Sequence, residues 1–306
     1  MERRNEYQQG RMCRRSFFDA AGRFAAGAVT LGAFETIRPS YAWAQQESNV
    51  PHPASARVLN RLRTSFMFQI SVDVATIEQG LRVAAAALAG GVNIVEMGTP
   101  LLKNEGVSNV VPAFRKKFPE ALLLADMKTM DGGAFEARAV FTRGGNIFDF
   151  LALAGADTAK SICAVRDEFR RAGPESARLV LSDIMVPHQG PAAQAGEVAL
   201  RMVEAGVDAV GIHLQSDARR ANPKLIEDDY LSEVARAVFE RIGKAVPVQV
   251  VGGLSIAQAK SLAKAGLRAF VISGNMGLPD GNARYNLPPA DIQRLVAGFI
   301  AEVSGG

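Results

Sequence analysis

The chain has 306 residues, and 48% of them are hydrophobic, so it is long enough for one large or two modest domains with a sizeable core. The formal net charge is +4, but residues 1–44 hold seven arginines and four acidic residues, so the remaining 28 basic and 27 acidic residues nearly balance. This balance excludes a basic surface of the kind that binds nucleic acid.

Residues 1–44 are predicted to be a twin-arginine-like signal peptide that lies outside the fold. The pair Arg14-Arg15 belongs to a basic start, a weakly apolar run follows over 24–34, and the Ala-Trp-Ala triplet at 42–44 fits a cleavage site. The apolar run is too short to span a bilayer, so we expect a periplasmic or otherwise exported protein without a stable membrane anchor. A disordered basic tail or an overextended gene start is the alternative, which would leave the protein cytoplasmic.

Residues 45–60 contain Pro51 and Pro53 and are predicted to be a linker, followed by a catalytic domain over 61–306. In that domain short apolar runs alternate with amphipathic stretches. The predicted strands are Phe66–Val72, Val92–Met97, Ala121–Ala125, Ile147–Leu153, Arg178–Ser182, Val207–Ile212, Val246–Val251 and Ala269–Ser273. The predicted helices are 76–90, 105–118, 134–143, 158–172, 191–205, 227–242, 255–265 and 289–303.

Eight strand–helix units in about 240 residues match the length and count of a (β/α)8 TIM barrel. The runner-up is a doubly wound open sheet, which needs an edge strand, whereas every predicted strand is apolar enough to be covered on both faces. In a barrel the carboxyl ends of all strands meet at one face, where the active site is built. The residues at those ends are Asp73, Glu96, Asp126, Lys128, Asp183, His213, Gly252-Gly253 and Ser273-Gly274-Asn275.

The third strand carries the densest group of charges. An apolar run from Leu122 leads into Asp126, Lys128 and Asp131. Because unpaired charge is costly inside a strand, we expect these residues where the strand leaves the core. Asp126 and Lys128 are two positions apart, so an extended backbone points both to the same side. The group is either a salt-bridged strand terminus or part of a catalytic cluster.

The residue types point to acid–base and cation chemistry. The chain has three histidines and two cysteines, which excludes a multi-histidine or cysteine-based metal site. Glu96 and Asp126, from adjacent strands, offer hard oxygen ligands that suit Mg²⁺, although Lys128 alone could also neutralise them. Neighbouring carboxylates favour the charged form of Lys128, so it serves better as an electrophile or proton donor than as a base. Asp73 either caps its strand or contacts substrate.

The later strand ends offer a proton carrier and an anion site. His213 suits general acid–base work, although a single histidine at a strand end is often structural. Gly252-Gly253 and Ser273-Gly274-Asn275 follow the seventh and eighth strands, where barrels often hold phosphate on backbone N–H groups. Either loop could instead be an ordinary turn.

These motifs resemble a known family. The pattern Asp126-x-Lys128-x-x-Asp131 is similar to the orotidine 5′-monophosphate decarboxylase suprafamily. Within it, the stretches 96–100, 104–106 and 124–136 resemble 3-hexulose-6-phosphate synthase and its relative 3-keto-L-gulonate-6-phosphate decarboxylase. The likeness covers roughly residues 66–276.

The resemblance implies a carbon–carbon lyase that acts through a Mg²⁺-stabilised 1,2-enediolate of a sugar phosphate. The synthases join ribulose 5-phosphate to formaldehyde, and the decarboxylase-like alternatives lose CO₂ from 3-keto-L-gulonate 6-phosphate or orotidine 5′-phosphate. An exported, non-catalytic sugar-binding barrel is the alternative of another class.

The family pattern also assigns roles by position and implies a homodimer with shared active sites. Glu96 and Asp126 match metal ligands, Asp73 a substrate contact, and Lys128 the group beside the enediolate oxygens. His213 matches the proton-transfer residue, and Asp131 a carboxylate that reaches into the partner's site. Gly252, Gly253 and Gly274 match the phosphate loops of the family. Ser273 and Asn275 complete the expected phosphate-binding set because they flank Gly274, although Asn275 stands where the decarboxylases carry an arginine.

Overall fold

Eight parallel strands close into a barrel in the computed structural model, which describes residues 53–173, 175–227, 229–273 and 285–305. The strands are β1 (Met67–Val72), β2 (Ile94–Met97), β3 (Leu122–Thr129), β4 (Ile147–Leu151), β5 (Leu179–Val186), β6 (Ala209–Leu214), β7 (Val248–Val251) and β8 (Ala269–Ile272). Neighbours in sequence pair with one another, and the register Met67↔Ala269 between β1 and β8 closes the ring. The predicted (β/α)8 architecture is therefore confirmed, and the open sheet is wrong.

Helices cover the outside of the barrel. They are α1 (Pro53–Thr64), α2 (Ile77–Ala89), α3 (Thr99–Glu105), α4 (Val107–Lys117), α5 (Gly133–Thr142), α6 (Gly155–Ala172), α7 (Ala192–Glu204), α8 (Ser216–Ala221), α9 (Lys224–Glu227), α10 (Tyr230–Ile242), α11 (Ile256–Lys264) and α12 (Pro289–Ser304). One predicted helix, 105–118, begins too early, because Gly106 has φ +80° and separates α3 from α4. Among the described helices, none has the length and apolar character needed to cross a bilayer.

Helix α1 closes the N-terminal end of the barrel. Val58, Leu59 and Leu62 pack against the first residues of several strands, among them Met67 and Ile94. The helix covers the second half of the segment 45–60, which the two prolines had suggested as a linker. Pro53 is compatible with the helix because a proline in the first turn loses no intrahelical hydrogen bond. The predicted leader lies outside the described residues and stays a prediction.

Strand β3 is longer than predicted and contains a bulge. It runs to Thr129, so Asp126 and Lys128 lie within the strand and not beyond its end, which corrects the predicted boundary. The register with β4 shifts between Asp126 and Thr129, and Lys128 has φ +50°, which is uncommon for a residue with a side chain. The bulge therefore re-aims Lys128, and simple alternation along an extended strand does not describe its direction.

Candidate active site

A cavity of about 430 Å³ lies over the carboxyl ends of the strands. Its lining includes the charged or titratable side chains of Asp73, Glu96, Asp126, Lys128, His213, Asp217, Arg219, Arg220 and Tyr285. Gly252 and Ser273 line it from the ends of β7 and β8. Seven of the sequence-predicted site residues, at the ends of β1, β2, β3, β6, β7 and β8, thus meet in one space, as a barrel requires.

Three carboxylates form one side of this cavity. Asp73, Glu96 and Asp126 each offer an oxygen that lies within 4.8 Å of the other two. The Ser71 hydroxyl lies 2.9 Å from Asp73 Oδ2 and 3.0 Å from Glu96 Oε1, so it ties these two side chains together. Thr99 donates to Asp126 Oδ2 at 2.7 Å. We refer to Asp73, Glu96 and Asp126 as the oxygen triad.

The oxygen triad fits a hard divalent cation. Burial, followed by the charges of Asp126 and Asp73, raises the pKa of Glu96 well above its usual value. Burial and the two neighbouring carboxylates thus disfavour the ionised form of Glu96 despite the positive charge of Lys128, and a cation bound beside it would favour that form. Three converging carboxylate oxygens beside an open cavity suit Mg²⁺, which takes one to a few carboxylates and keeps room for water or substrate oxygens. The sequence had predicted only Glu96 and Asp126 as metal ligands, and the geometry makes Asp73 a third candidate.

The Lys128 ammonium lies among a second group of carboxylates. Its ammonium pairs with Asp126 Oδ1 and lies 3.2 Å from Asp183 Oδ2 and 3.6 Å from Asp149 Oδ2. Burial alone would lower the pKa of Lys128, but Asp126, Asp183 and Asp149 outweigh it and raise the pKa well above its usual value. Although these three carboxylates also lie within 4.8 Å of one another, the ammonium already serves as their cation. Of the two groups, the oxygen triad is therefore the better candidate to hold a metal ion.

The carboxylates around Lys128 differ in charge state. Burial would raise the pKa of Asp126, but Lys128 and several hydrogen bonds hold it below its usual value, so Asp126 is ionised. For Asp149, burial and the neighbouring charge of Asp183 raise the pKa well above its usual value. Asp149 Oδ1 is buried and has no hydrogen-bond partner among the described residues. Asp149 is thus the carboxyl group that most readily holds a proton in this group.

His213 is oriented by a buried carboxylate. Its Nδ1 lies 3.0 Å from Asp183 Oδ2, and the imidazole lines the cavity. Burial would raise the pKa of Asp183, but Lys128 and His213 lower it, so the carboxylate is ionised. An ionised carboxylate on Nδ1 fixes the ring so that Nε2 is the nitrogen available to a substrate, as in other acid–base dyads.

The opposite wall brings the backbone close to the cavity. Gly252 has φ +125°, and a Cβ there would lie 2.6 Å from the Leu214 Cβ, so only glycine fits. Gly253 also has a positive φ but does not line the cavity. Ser273 does line it, whereas the predicted phosphate contacts Gly274 and Asn275 lie outside the described residues.

A family comparison agrees with this arrangement. Residues 67–274 match the model of the orotidine 5′-phosphate decarboxylase / HUMPS family, and this range spans the barrel from β1 to the end of β8. The chain belongs to this family.

Relatives of this chain are named 3-hexulose-6-phosphate synthase, which is an enzyme of the lyase class. A 3-hexulose-6-phosphate synthase from Mycobacterium gastri is 30% identical over 206 residues, which cover 67% of this chain and 89% of the relative. A solved 3-hexulose-6-phosphate synthase from Salmonella typhimurium is 26% identical with a TM-score of 0.59, and the match covers 78% of this chain and 99% of that one. The chain is accordingly an enzyme of the lyase class, and the non-catalytic barrel is not supported.

A third likeness concerns the fold alone. The solved 3-keto-L-gulonate-6-phosphate decarboxylase from Vibrio cholerae is 20% identical with a TM-score of 0.54 and is matched over 77% of this chain and 99% of its own. At this identity the match supports the barrel fold and gives no information about the substrate of this chain.

Asp131, another predicted site residue of this chain, lies apart from the others. The Asp131 side chain is exposed, and its Oδ1 accepts a hydrogen bond from the Gly132 backbone at 2.7 Å. Asp131 does not line the cavity of its own chain. The part of the prediction that would place it in a partner's site needs a second copy of the chain.

Several residues of the site were missed or only partly recognised from the sequence. Asp149 lies in the middle of β4, and the isolated acid in the run Ile147–Leu151 was the available signal. Asp183 was noted at a strand end without a role. Gln69 donates to Glu96 and in turn accepts from Gln249 Nε2 at 2.9 Å, so a buried amide pair inside the barrel holds a triad carboxylate. Buried amides in strands carry no distinctive local pattern.

Proposed function

We propose that the protein is a Mg²⁺-dependent lyase that forms the 1,2-enediolate of a sugar phosphate, of the 3-hexulose-6-phosphate synthase type. In this reaction ribulose 5-phosphate loses a proton from C1, and C1 then bonds to the carbon of formaldehyde. The observation that best supports the proposal is that the oxygen triad, the Lys128 ammonium and the His213–Asp183 dyad converge on one cavity.

The substrate would bind with its two ends on different walls of the cavity. Gly252 and Ser273 line one wall, where a phosphate group can approach backbone N–H groups and a hydroxyl. The reacting carbonyl and hydroxyl oxygens would then face Lys128 and the oxygen triad. This orientation matches positive charge and donors to the atoms on which negative charge develops.

The His213–Asp183 dyad would carry out the proton transfers. His213 takes the C1 proton on Nε2, and the ionised Asp183 on Nδ1 stabilises the imidazolium that results. Lys128 donates hydrogen bonds to the enediolate oxygens and stays charged, because its carboxylate partners favour the ammonium. Attack on formaldehyde forms the new carbon–carbon bond, and the former aldehyde oxygen takes up a proton from the imidazolium or from water.

A Mg²⁺ ion held by Asp73, Glu96 and Asp126 would supply further positive charge beside the substrate oxygens. A decarboxylase of the 3-keto-L-gulonate-6-phosphate or orotidine 5′-phosphate type is the alternative and would use the same groups after loss of CO₂. The synthase is favoured, because relatives at 26–30% identity carry that name, whereas the decarboxylase likeness at 20% concerns the fold.

Proton exchange at C1 tests this function. The full chain, incubated with Mg²⁺ and ribulose 5-phosphate in D₂O, should remove one C1 proton signal stereospecifically in the NMR spectrum. EDTA should stop the exchange. The variant Asp126→Asn should lose Mg²⁺ affinity by more than the roughly 10- to 100-fold that follows removal of a ligand's outer-shell partner.

Formaldehyde then decides between the alternatives. Consumption of formaldehyde with ribulose 5-phosphate identifies the synthase. Exchange without consumption, together with CO₂ release from a 3-keto sugar acid phosphate, identifies the decarboxylase. A folded, Mg²⁺-bound protein that exchanges no C1 proton contradicts the enediolate mechanism.

We also infer that the active protein is a homodimer. Met130 and Phe135 flank Asp131 and are 51% and 81% exposed, which is unusual for large apolar side chains in the described part of the chain. A second copy that covers these side chains would bring each Asp131 near the partner's cavity.

Light scattering tests the dimer. Phe135→Asp should convert a dimer into a monomer and lower activity, because the partner's Asp131 is lost from the site. The control Arg294→Asp alters an exposed position on α12 and should leave the mass unchanged. A wild-type monomer with full activity would contradict the shared site.

A further inference from the structure

An arginine-lined groove lies at the N-terminal end of the barrel, at the opposite end from the active site. Its volume is about 520 Å³, and it lies between α1, the end of α4 and the segment that leads into β5. Four arginines line it: Arg57, Arg61, Arg115 and Arg178. Glu120 and Glu175 are the only carboxylates in its lining, so the charged side chains of the groove leave a net charge of +2.

The arginines of the groove are not neutralised by ion pairs. Within the described ranges, none of the four has a carboxylate oxygen within 4.0 Å. Arg57 and Arg61 are one helical turn apart on α1, and like charges at this spacing destabilise a helix. Both side chains are exposed and can turn toward a ligand.

The barrel side of the groove also holds unbalanced positive charge. Burial lowers the pKa of Arg178, and the neighbouring charge of Arg115 lowers it further. The Nε of Arg178 is buried and has no hydrogen-bond partner among the described residues. Arg115 donates mainly to backbone carbonyls such as Gly144 O at 2.9 Å, and Glu120 offsets part of its charge without forming an ion pair.

We propose that this groove is a second anion-binding site, separate from the active site, which takes a compact anion with two or more negative charges of the phosphate class. Guanidinium groups match the oxygens of such an anion with paired, charge-assisted hydrogen bonds. The anion would bridge Arg57 and Arg61 of α1 to Arg178 of the barrel. It would therefore reinforce the existing link in which Arg178 N donates to Ser55 Oγ at 3.1 Å.

This bridge gives a local readout that does not depend on turnover. Inorganic phosphate, compared with sodium chloride at equal ionic strength, should slow hydrogen exchange of the full chain in residues 53–64 and 175–178. Phosphate in the active site would instead protect the ends of β7 and β8. Arg178→Gln, or Arg57→Gln with Arg61→Gln, should weaken the protection of α1 by about tenfold for each arginine removed.

The control variant Arg138→Gln removes the same charge from an exposed position on α5 and should retain the protection. Two results overturn the proposal. The first is an unchanged exchange rate in residues 53–64 at saturating phosphate. The second is equal protection in the groove variants and in the control, which would mean that phosphate acts only by general screening of charge.

Discussion

Replacing Lys128 by methionine should abolish turnover and lower the free energy of unfolding by about 3–5 kcal/mol. The ammonium is the cation shared by Asp126, Asp149 and Asp183, all of which are buried. Its removal leaves carboxylates without a counter-charge in a low-dielectric interior, which is costlier than losing the pair itself. Urea unfolding and the C1 exchange assay measure the two effects separately.

The pH dependence of the Lys128→Met variant has a defined sign. In the wild type, Lys128 holds the pKa values of Asp126 and Asp183 below their usual values, so their stabilising contribution is present near neutral pH and lost as the pH falls. In the variant these pKa values should rise, so its deficit in stability should shrink as the pH is lowered and the carboxylates take up protons. A deficit that is independent of pH would contradict the charge-based explanation.

A double variant separates charge from packing. Adding Asp183→Asn to Lys128→Met removes one of the unpaired carboxylates, so the double variant should be more stable than Lys128→Met alone. Lys128→Arg keeps the charge and should fold with near wild-type stability. We expect it to be poorly active, because a planar guanidinium cannot reproduce the position of the ammonium on the β3 bulge.

Replacing His213 by glutamine should slow C1 proton exchange by about 10²- to 10⁴-fold, the contribution typical of a general base. The imidazole lines the cavity, and glutamine has no nitrogen that can take up the proton. Because His213 is outside the oxygen triad, Mg²⁺ affinity measured by calorimetry should stay within about twofold of the wild type. Unchanged exchange would remove His213 from the proposed mechanism.

The variant Asp183→Asn tests the contribution of the carboxylate that contacts His213. The amide keeps the shape of the carboxylate on Nδ1 but not its charge, so the imidazolium formed in the reaction is less stabilised. We expect an intermediate loss in exchange, smaller than in His213→Gln. A full-rate Asp183→Asn variant would show that the contact only positions a structural histidine.

The sequence predicted the order and type of the elements well, because these depend on local patterns. Eight apolar runs separated by amphipathic stretches define eight strands, and charges at their carboxyl ends converge once the barrel closes. Glu96, Asp126, Lys128 and His213 could therefore be predicted to lie close together, and all four line the cavity. Their family pattern was equally readable, because it consists of contiguous residues in and around single strands.

Long-range contacts decided the features that sequence reasoning missed. Asp149 is opposite Asp126 in the β3–β4 register, which brings it within 3.6 Å of the Lys128 ammonium, and this long-range contact helps an acid to lie in the middle of a buried strand. The direction of the Lys128 side chain depends on the bulge in β3, and no residue type in that strand predicts the bulge. Likewise, α1 has a role only because its apolar side chains fill the open end of a closed barrel.

By itself the sequence determined the (β/α)8 barrel, because hydrophobic period and strand count are local in the chain, and its contiguous motifs carried the resemblance to one family of lyases. Tertiary structure alone decided which carboxylate neutralises which cation. Charges repel or pair according to distance and burial, and neighbours such as Lys128 and Asp183 are 55 positions apart in sequence but 3.2 Å apart in space. That arrangement leaves the oxygen triad and the imidazole of His213 lining the same cavity.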